Sequence, residues 1–228
     1  MKNAYKDCFK NADKYLEDSI TLKERSSGRA SALAILGQEE VGKGLLNYLI
    51  RVLETLGETK LAKEWRQEIF RHETKLTLVQ MLSFVQSLTT VEMKKAMAEM
   101  PNLKAKARRS RDPFAVAAQY LSKIYPSIEQ QASIEAPKAL DIAFQLNELK
   151  KRGLYVDPLQ GGGSISTPDE ISQADAEEQI RKLKEGREMV GKIMDLLLKH
   201  PKKFRLMGAQ AWLKAFKQHR TRQNGLPH

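Results

Sequence analysis

Two small groups of residues in this chain have types and spacing that could do chemistry. Glu39, Glu40 and Lys43 stand inside the stretch 30–56, ASALAILGQEEVGKGLLNYLIRVLETL, which is otherwise almost wholly apolar. Glu39 and Lys43 are four apart with the acid first, the favourable orientation for an intrahelical ion pair, and this leaves Glu40 without an obvious local partner. Charges on a buried helix are costly unless each is paired, so the group reads either as an internal salt bridge with tight packing or as part of a site. The second group surrounds His72, which falls on the seam Leu61, Trp65, Ile69, His72, Leu76, Val79 and Leu82. A histidine so placed is either a satisfied core residue or, with Arg66, Arg71 and Lys75 within two turns, a proton-transfer group in cationic surroundings.

Several other chemistries lack their residues. Helical di-iron sites need paired Glu-x-x-His units, but Ile69 stands three before His72, so no metal and no cofactor are expected. Cys8 is the single cysteine, which excludes an intrachain disulfide and a thiolate zinc cluster. Its place beside Phe9 on an apolar stripe makes it a packed thiol in a chain suited to a reducing cytosol. Neither a Walker-type phosphate loop nor a G-x-S-x-G elbow occurs. No apolar run reaches membrane-spanning length, so a cytoplasmic protein without a membrane partner is expected.

The elements that must position these groups read as helices throughout. Stretch 2–23 carries Tyr5, Cys8, Phe9, Ala12, Tyr15, Leu16 and Ile20 at helical spacing, one stripe laid against the core. Stretch 30–56 has apolar residues all round, so it is the buried central helix, closed by Gly57. A third helix is predicted to begin near Glu58 and run through the His72 seam to Leu82. Shorter helices follow over 89–100 and from Asp112 to Tyr125, separated by a basic segment, and another over 127–152 with a break at Pro137 and an end at Gly153. The glycine-rich segment 160–166 is a flexible loop, and Thr167-Pro168 starts a helix running to Lys199. The organisation predicted is an all-α bundle over 1–200, followed by a basic amphipathic extension over 201–228.

Lysine and arginine outnumber the acids by 39 to 28, a formal charge of +11. The excess is concentrated. Lys104, Lys106, Arg108, Arg109 and Arg111 form one acid-free run, and eight basic residues without an acid follow from Lys199. Such patches attract polyanions, which makes RNA or the ribosome an expected partner.

Three blocks of sequence resemble the AbiV family of abortive-infection proteins, members of the HEPN group of small helical domains. The first is segment 30–46, through Ala30, Leu33, Ala34, Glu39, Glu40, Gly42, Lys43, Leu45 and Leu46. The second is Phe70, His72, Lys75 and Leu76, and the third is Lys151, Arg152 and Leu154 to Asp157. The resemblance implies a HEPN-like bundle, a role in anti-phage defence and a homodimer. HEPN domains, where active, are metal-independent endoribonucleases built on an R-x(4–6)-H pair, and Arg66 with His72 meets that spacing. It implies that His72 handles a proton while Arg66 holds phosphoryl oxygens as the ribose 2′-hydroxyl attacks the adjacent phosphate. Glu39, Glu40, Lys43, Lys75, Lys151, Arg152, Tyr155 and Asp157 would support catalysis or binding. The alternative of a different class is a non-catalytic binder that engages a phage protein, RNA or the ribosome and so blocks translation.

Overall fold

A helix that is apolar on every side must be covered on every side, and the helix over Ser27–Thr55 is. The computed structural model describes residues 4–80, 137–154 and 168–199. Among these the fold is all-α: α1 (Ala4–Leu22), α2 (Ser27–Thr55), α3 (Thr59–Glu68), α4 (helical over 72–80), α5 (helical over 137–154) and α6 (Gln173–Lys199). A short 3-10 turn over Pro168–Glu170 precedes α6. Helices α1, α3 and α6 and the 3-10 turn all pack on α2. The segments predicted over 89–100, 103–111 and 112–125, the loop 160–166 and the extension 201–228 lie outside the described residues.

The main core gathers Phe9 and Ala12 of α1, Leu45, Leu46, Leu49 and Leu53 of α2, Trp65 of α3, and Leu183 and Val190 of α6. The α1 stripe is as the spacing predicts, except that Ile20 is half exposed at the end of its helix. The C-terminus of α2 is closed by Gly57 at φ 78°. Glu58 N donates to Leu53 O at 2.9 Å and Gly57 N to Glu54 O at 3.0 Å, the paired bonds of a Schellman closure, so orphan carbonyls at that end are satisfied. At the start of α6, Asp175 N donates to Ser172 Oγ (3.1 Å) and Ser172 N to Asp175 Oδ2 (3.3 Å). This reciprocal cap explains why α6 begins at Gln173 rather than at the Thr167-Pro168 pair.

The single helix predicted from Glu58 to Leu82 is in fact two. The chain turns at Ile69 and Phe70 and restarts at His72. Arg71 N donates to Glu68 O at 3.1 Å, and the buried Glu68 carboxylate accepts a bond from Thr74 Oγ1 at 2.9 Å. Residues six apart in a continuous helix point about 120° apart and lie about 9 Å from each other along the axis, so that side-chain bond forms only if the helix breaks between them. The break moves His72 off the apolar seam to the first position of α4, where its side chain is 52% exposed.

Candidate functional site

Helices α2, α4 and α5 meet over a small apolar floor made of Ile35, Leu76, Ala143 and Leu146. One helical turn from each of three floor residues stands a polar one: Glu39 after Ile35, His72 before Leu76, and Lys150 after Leu146. The close approach of α4 depends on Gly42. A side chain there would overlap the backbone carbonyl of Lys75, so only a bare Cα lets α4 cross α2 at that depth. Gly153 lies against Gly28 and Ala32 while Leu146 joins the floor with Ile35, so α5 runs antiparallel to α2. Helical side chains lean towards their own N-terminus, which aims Lys150 back along α2 to Glu39.

Glu39 is the centre of the site. Its side chain is only 5% exposed. Lys150 Nζ donates to Oε1 at 2.5 Å, His72 Nδ1 lies 2.6 Å from Oε2, and Lys75 Nζ is 3.7 Å from the same oxygen. Both lysines are themselves buried. Where a neutral imidazole donates Nδ1–H to this carboxylate, its lone pair is left on Nε2 of a side chain that is half exposed. Lys150 Nζ is 3.4 Å from the same Nδ1, close packing rather than a second bond once that nitrogen carries its proton. One carboxylate against two ammonium groups leaves the cluster one positive charge in excess even with neutral imidazole. The arrangement can therefore accept a proton at its solvent face and hold an anion beside it.

The other predicted residues are distributed differently from their spacing. Lys43 pairs with Glu40 at 3.1 Å, not with Glu39. Adjacent helix positions point about 100° apart, so the two carboxylates serve separate clusters: Glu39 faces α4 and α5, and Glu40 faces α1. There Asn47 Nδ2 lies 3.9 Å from Cys8 Sγ. Burial, and next to it the Glu40 charge, push the Cys8 thiol up, which keeps it an inert packed thiol. Burial works to lower the Lys43 ammonium, but the hydrogen bond and charge of Glu40 outweigh it and hold it above its ordinary value.

Arg66 does not meet His72. Its guanidinium bonds Glu54 in the last turn of α2, whereas His72 bonds Glu39, fifteen residues earlier on that helix. At a rise of about 1.5 Å per residue the two anchors are ~22 Å apart along the axis. Residues six apart do not share a face of a continuous helix, and the break at residues 69–71 does not bring this pair together either: it turns His72 towards Glu39 while Arg66 stays on α3 against Glu54. Arg152 lies 3.5 Å from Glu170, and Lys151 bonds Glu148 at 2.6 Å on the exposed side of α5. Tyr155 and Asp157 lie outside the described residues. Lys150 was missed by sequence reasoning, though it continues the stripe Ala139, Ala143, Leu146, and a lone lysine on a buried stripe signals a buried anion nearby.

Sequence comparison agrees with this central helix and its neighbours: the AbiV family model, a HEPN-type domain, matches residues 1–186. The chain belongs to the AbiV family. The AbiV match takes in α1 to α5 and the first half of α6, so all of the Glu39 cluster lies within it. No curated protein and no solved structure gives a significant match to this AbiV chain. Among the described residues no group of three or more His, Cys, Asp or Glu is placed to hold a metal ion, and no helix is long and apolar enough to cross a membrane.

Proposed function

We propose that this abortive-infection, HEPN-type protein arrests growth inside the infected cell by acting on RNA, with the Glu39-oriented His72 as its proton-transfer group. The observation that carries the reading is a half-exposed imidazole tied through Nδ1 to a buried carboxylate that two buried lysines also share. His72 Nε2 takes the proton of a ribose 2′-hydroxyl, O2′ attacks the adjacent phosphorus, and the P–O5′ bond breaks. The products are a 2′,3′-cyclic phosphate and a 5′-hydroxyl whose proton comes from solvent. Lys75 and Lys150 favour the phosphate by their net charge, and Glu39 steadies the imidazolium as it forms. Arg66 would join this chemistry only from a second copy of the chain, as a homodimer would allow.

The displacement of Arg66 from His72 favours a second reading, in which the same net-positive site binds RNA, the ribosome or a phage protein without cleaving anything. Purified protein incubated with cellular RNA separates the two. Cleavage that is present in wild type and abolished in His72→Ala supports the ribonuclease. Inert wild type, together with growth arrest that survives His72→Ala, supports the binder. Mixing Arg66→Ala with His72→Ala protein tests the shared-site dimer, since only that arrangement restores cleavage from two inactive variants.

A further inference from the structure

The corner between α3 and α4 exposes three consecutive residues of different chemistry. Phe70 is 83% exposed, whereas the other exposed large hydrophobics among the described residues, Ile20, Ile142 and Leu154, reach 50%, 39% and 38%. Scattered partial exposure of aliphatic residues is ordinary, but a phenyl ring held almost wholly in water at a tight turn contributes little to its own fold. Arg71 and His72 follow directly, with side chains 48% and 52% exposed.

Resting on the reading of His72 as an RNA-facing group, we propose that Phe70 is the nucleobase-stacking platform of this site and thereby selects unpaired RNA. The ring takes one base face-on while the phosphate of that nucleotide lies towards Arg71 and the imidazole. Two chain steps of 3.8 Å limit the Phe70 and His72 Cα atoms to about 7 Å apart, the scale that separates a base from its own phosphate. A base inside a duplex already has both faces covered, so only a single strand offers one to the ring. Stacking is tolerant of base identity, because every base has a π-face, and it complements the charge excess beneath, which draws the backbone without reading it. A protein partner would also use a bare aromatic ring, but the imidazole beside it and the one-charge excess of the Glu39 cluster below favour a polyanion, with Arg71, which lies 3.7 Å from the Glu68 carboxylate, sharing its charge between that acid and the phosphate.

The test uses the full-length protein and a short single-stranded RNA bearing 2′-O-methyl groups, which lacks the attacking hydroxyl and leaves the wild-type site intact. Fluorescence polarisation of the labelled strand should show Phe70→Ala weakening binding by about tenfold or more, Phe70→Leu weakening it similarly, and Phe70→Trp retaining it. A strand of equal length without bases should bind wild type and Phe70→Ala equally, and the salt dependence of binding should be unchanged by the substitution. Equal affinity of all four proteins for the methylated strand, with cleavage of ordinary RNA by wild type intact, overturns the stacking role alone. Absence of RNA binding by wild type overturns the RNA reading with it. Conversion of a wild-type dimer into a monomer by Phe70→Ala in light scattering would instead assign the ring to a subunit contact and overturn the proposal.

Discussion

Replacing Glu39 with glutamine tests whether one buried carboxylate holds the three helices of the site together. The substitution keeps the shape and removes the charge, leaving Lys75 and Lys150 with side chains 10% and 9% exposed and no anion between them. Removing one partner of a buried ion pair costs about 3–5 kcal/mol, because the remaining charge stays out of water. For a domain of this size each kcal/mol lowers Tm by about 2–4 °C, so Glu39→Gln should lower it by roughly 6–20 °C. Circular dichroism melts and urea titrations at neutral pH measure this. Adding Lys150→Met to the Glu39→Gln protein should restore part of the loss, with a coupling of about 1 kcal/mol or more across the double-mutant cycle. Glu178→Gln is the control. Its partner Arg181 bonds it at 2.6 Å, but the two side chains are 41% and 54% exposed, so the loss should stay under about 1 kcal/mol. If Glu39→Gln melts within about 2 °C of wild type, or costs no more than Glu178→Gln, the shared-anion account of the site is wrong.

Gly42→Ala should destabilise by about 1–3 kcal/mol despite gaining close to 1 kcal/mol of helix propensity, because the new methyl group meets the Lys75 backbone. Gly191→Ala in α6 meets nothing within 4 Å among the described residues and should raise stability by up to about 1 kcal/mol; urea midpoints of the two variants should move in opposite directions. The Lys43 ammonium is held above its ordinary 10.5, so its stabilising contribution is complete below that value and lost as pH rises through the higher folded value. The difference in urea midpoint between wild type and Lys43→Met should therefore stay constant across neutral pH and close only at strongly alkaline pH. Cys8, buried and with its thiol pushed up, should react with iodoacetamide far more slowly in the native protein than in the denatured chain; equal rates would contradict its packed, protonated state.

Much of the helical framework was legible because it depends on local rules. The all-round apolar character of stretch 30–56 required a central helix, and α2 has buried residues on every face. Gly57 signalled a left-handed closure and adopts one. The predicted ends of α1 and α2 were within a few residues, because periodicity places a helix better than it places the terminus. The apolar period continued through residues 69–72, and so it hid the break there. The broken chain is held by a bond between Glu68 and Thr74, a pairing that no helical spacing contains.

For this protein the sequence by itself determined the helical class, the central helix, the family and the residue types from which a site could be made. Tertiary structure alone decided which of those residues meet. Glu39 and Glu40 are neighbours in the chain but face different helices, Arg66 and His72 are separated by a turn, and Lys150 rather than Lys151 or Arg152 reaches the buried carboxylate. The physical reason is that a charge inside a protein takes whichever partner the crossing helices bring within about 4 Å, and desolvation makes that partner obligatory. Spacing along one helix cannot anticipate a cation delivered from another.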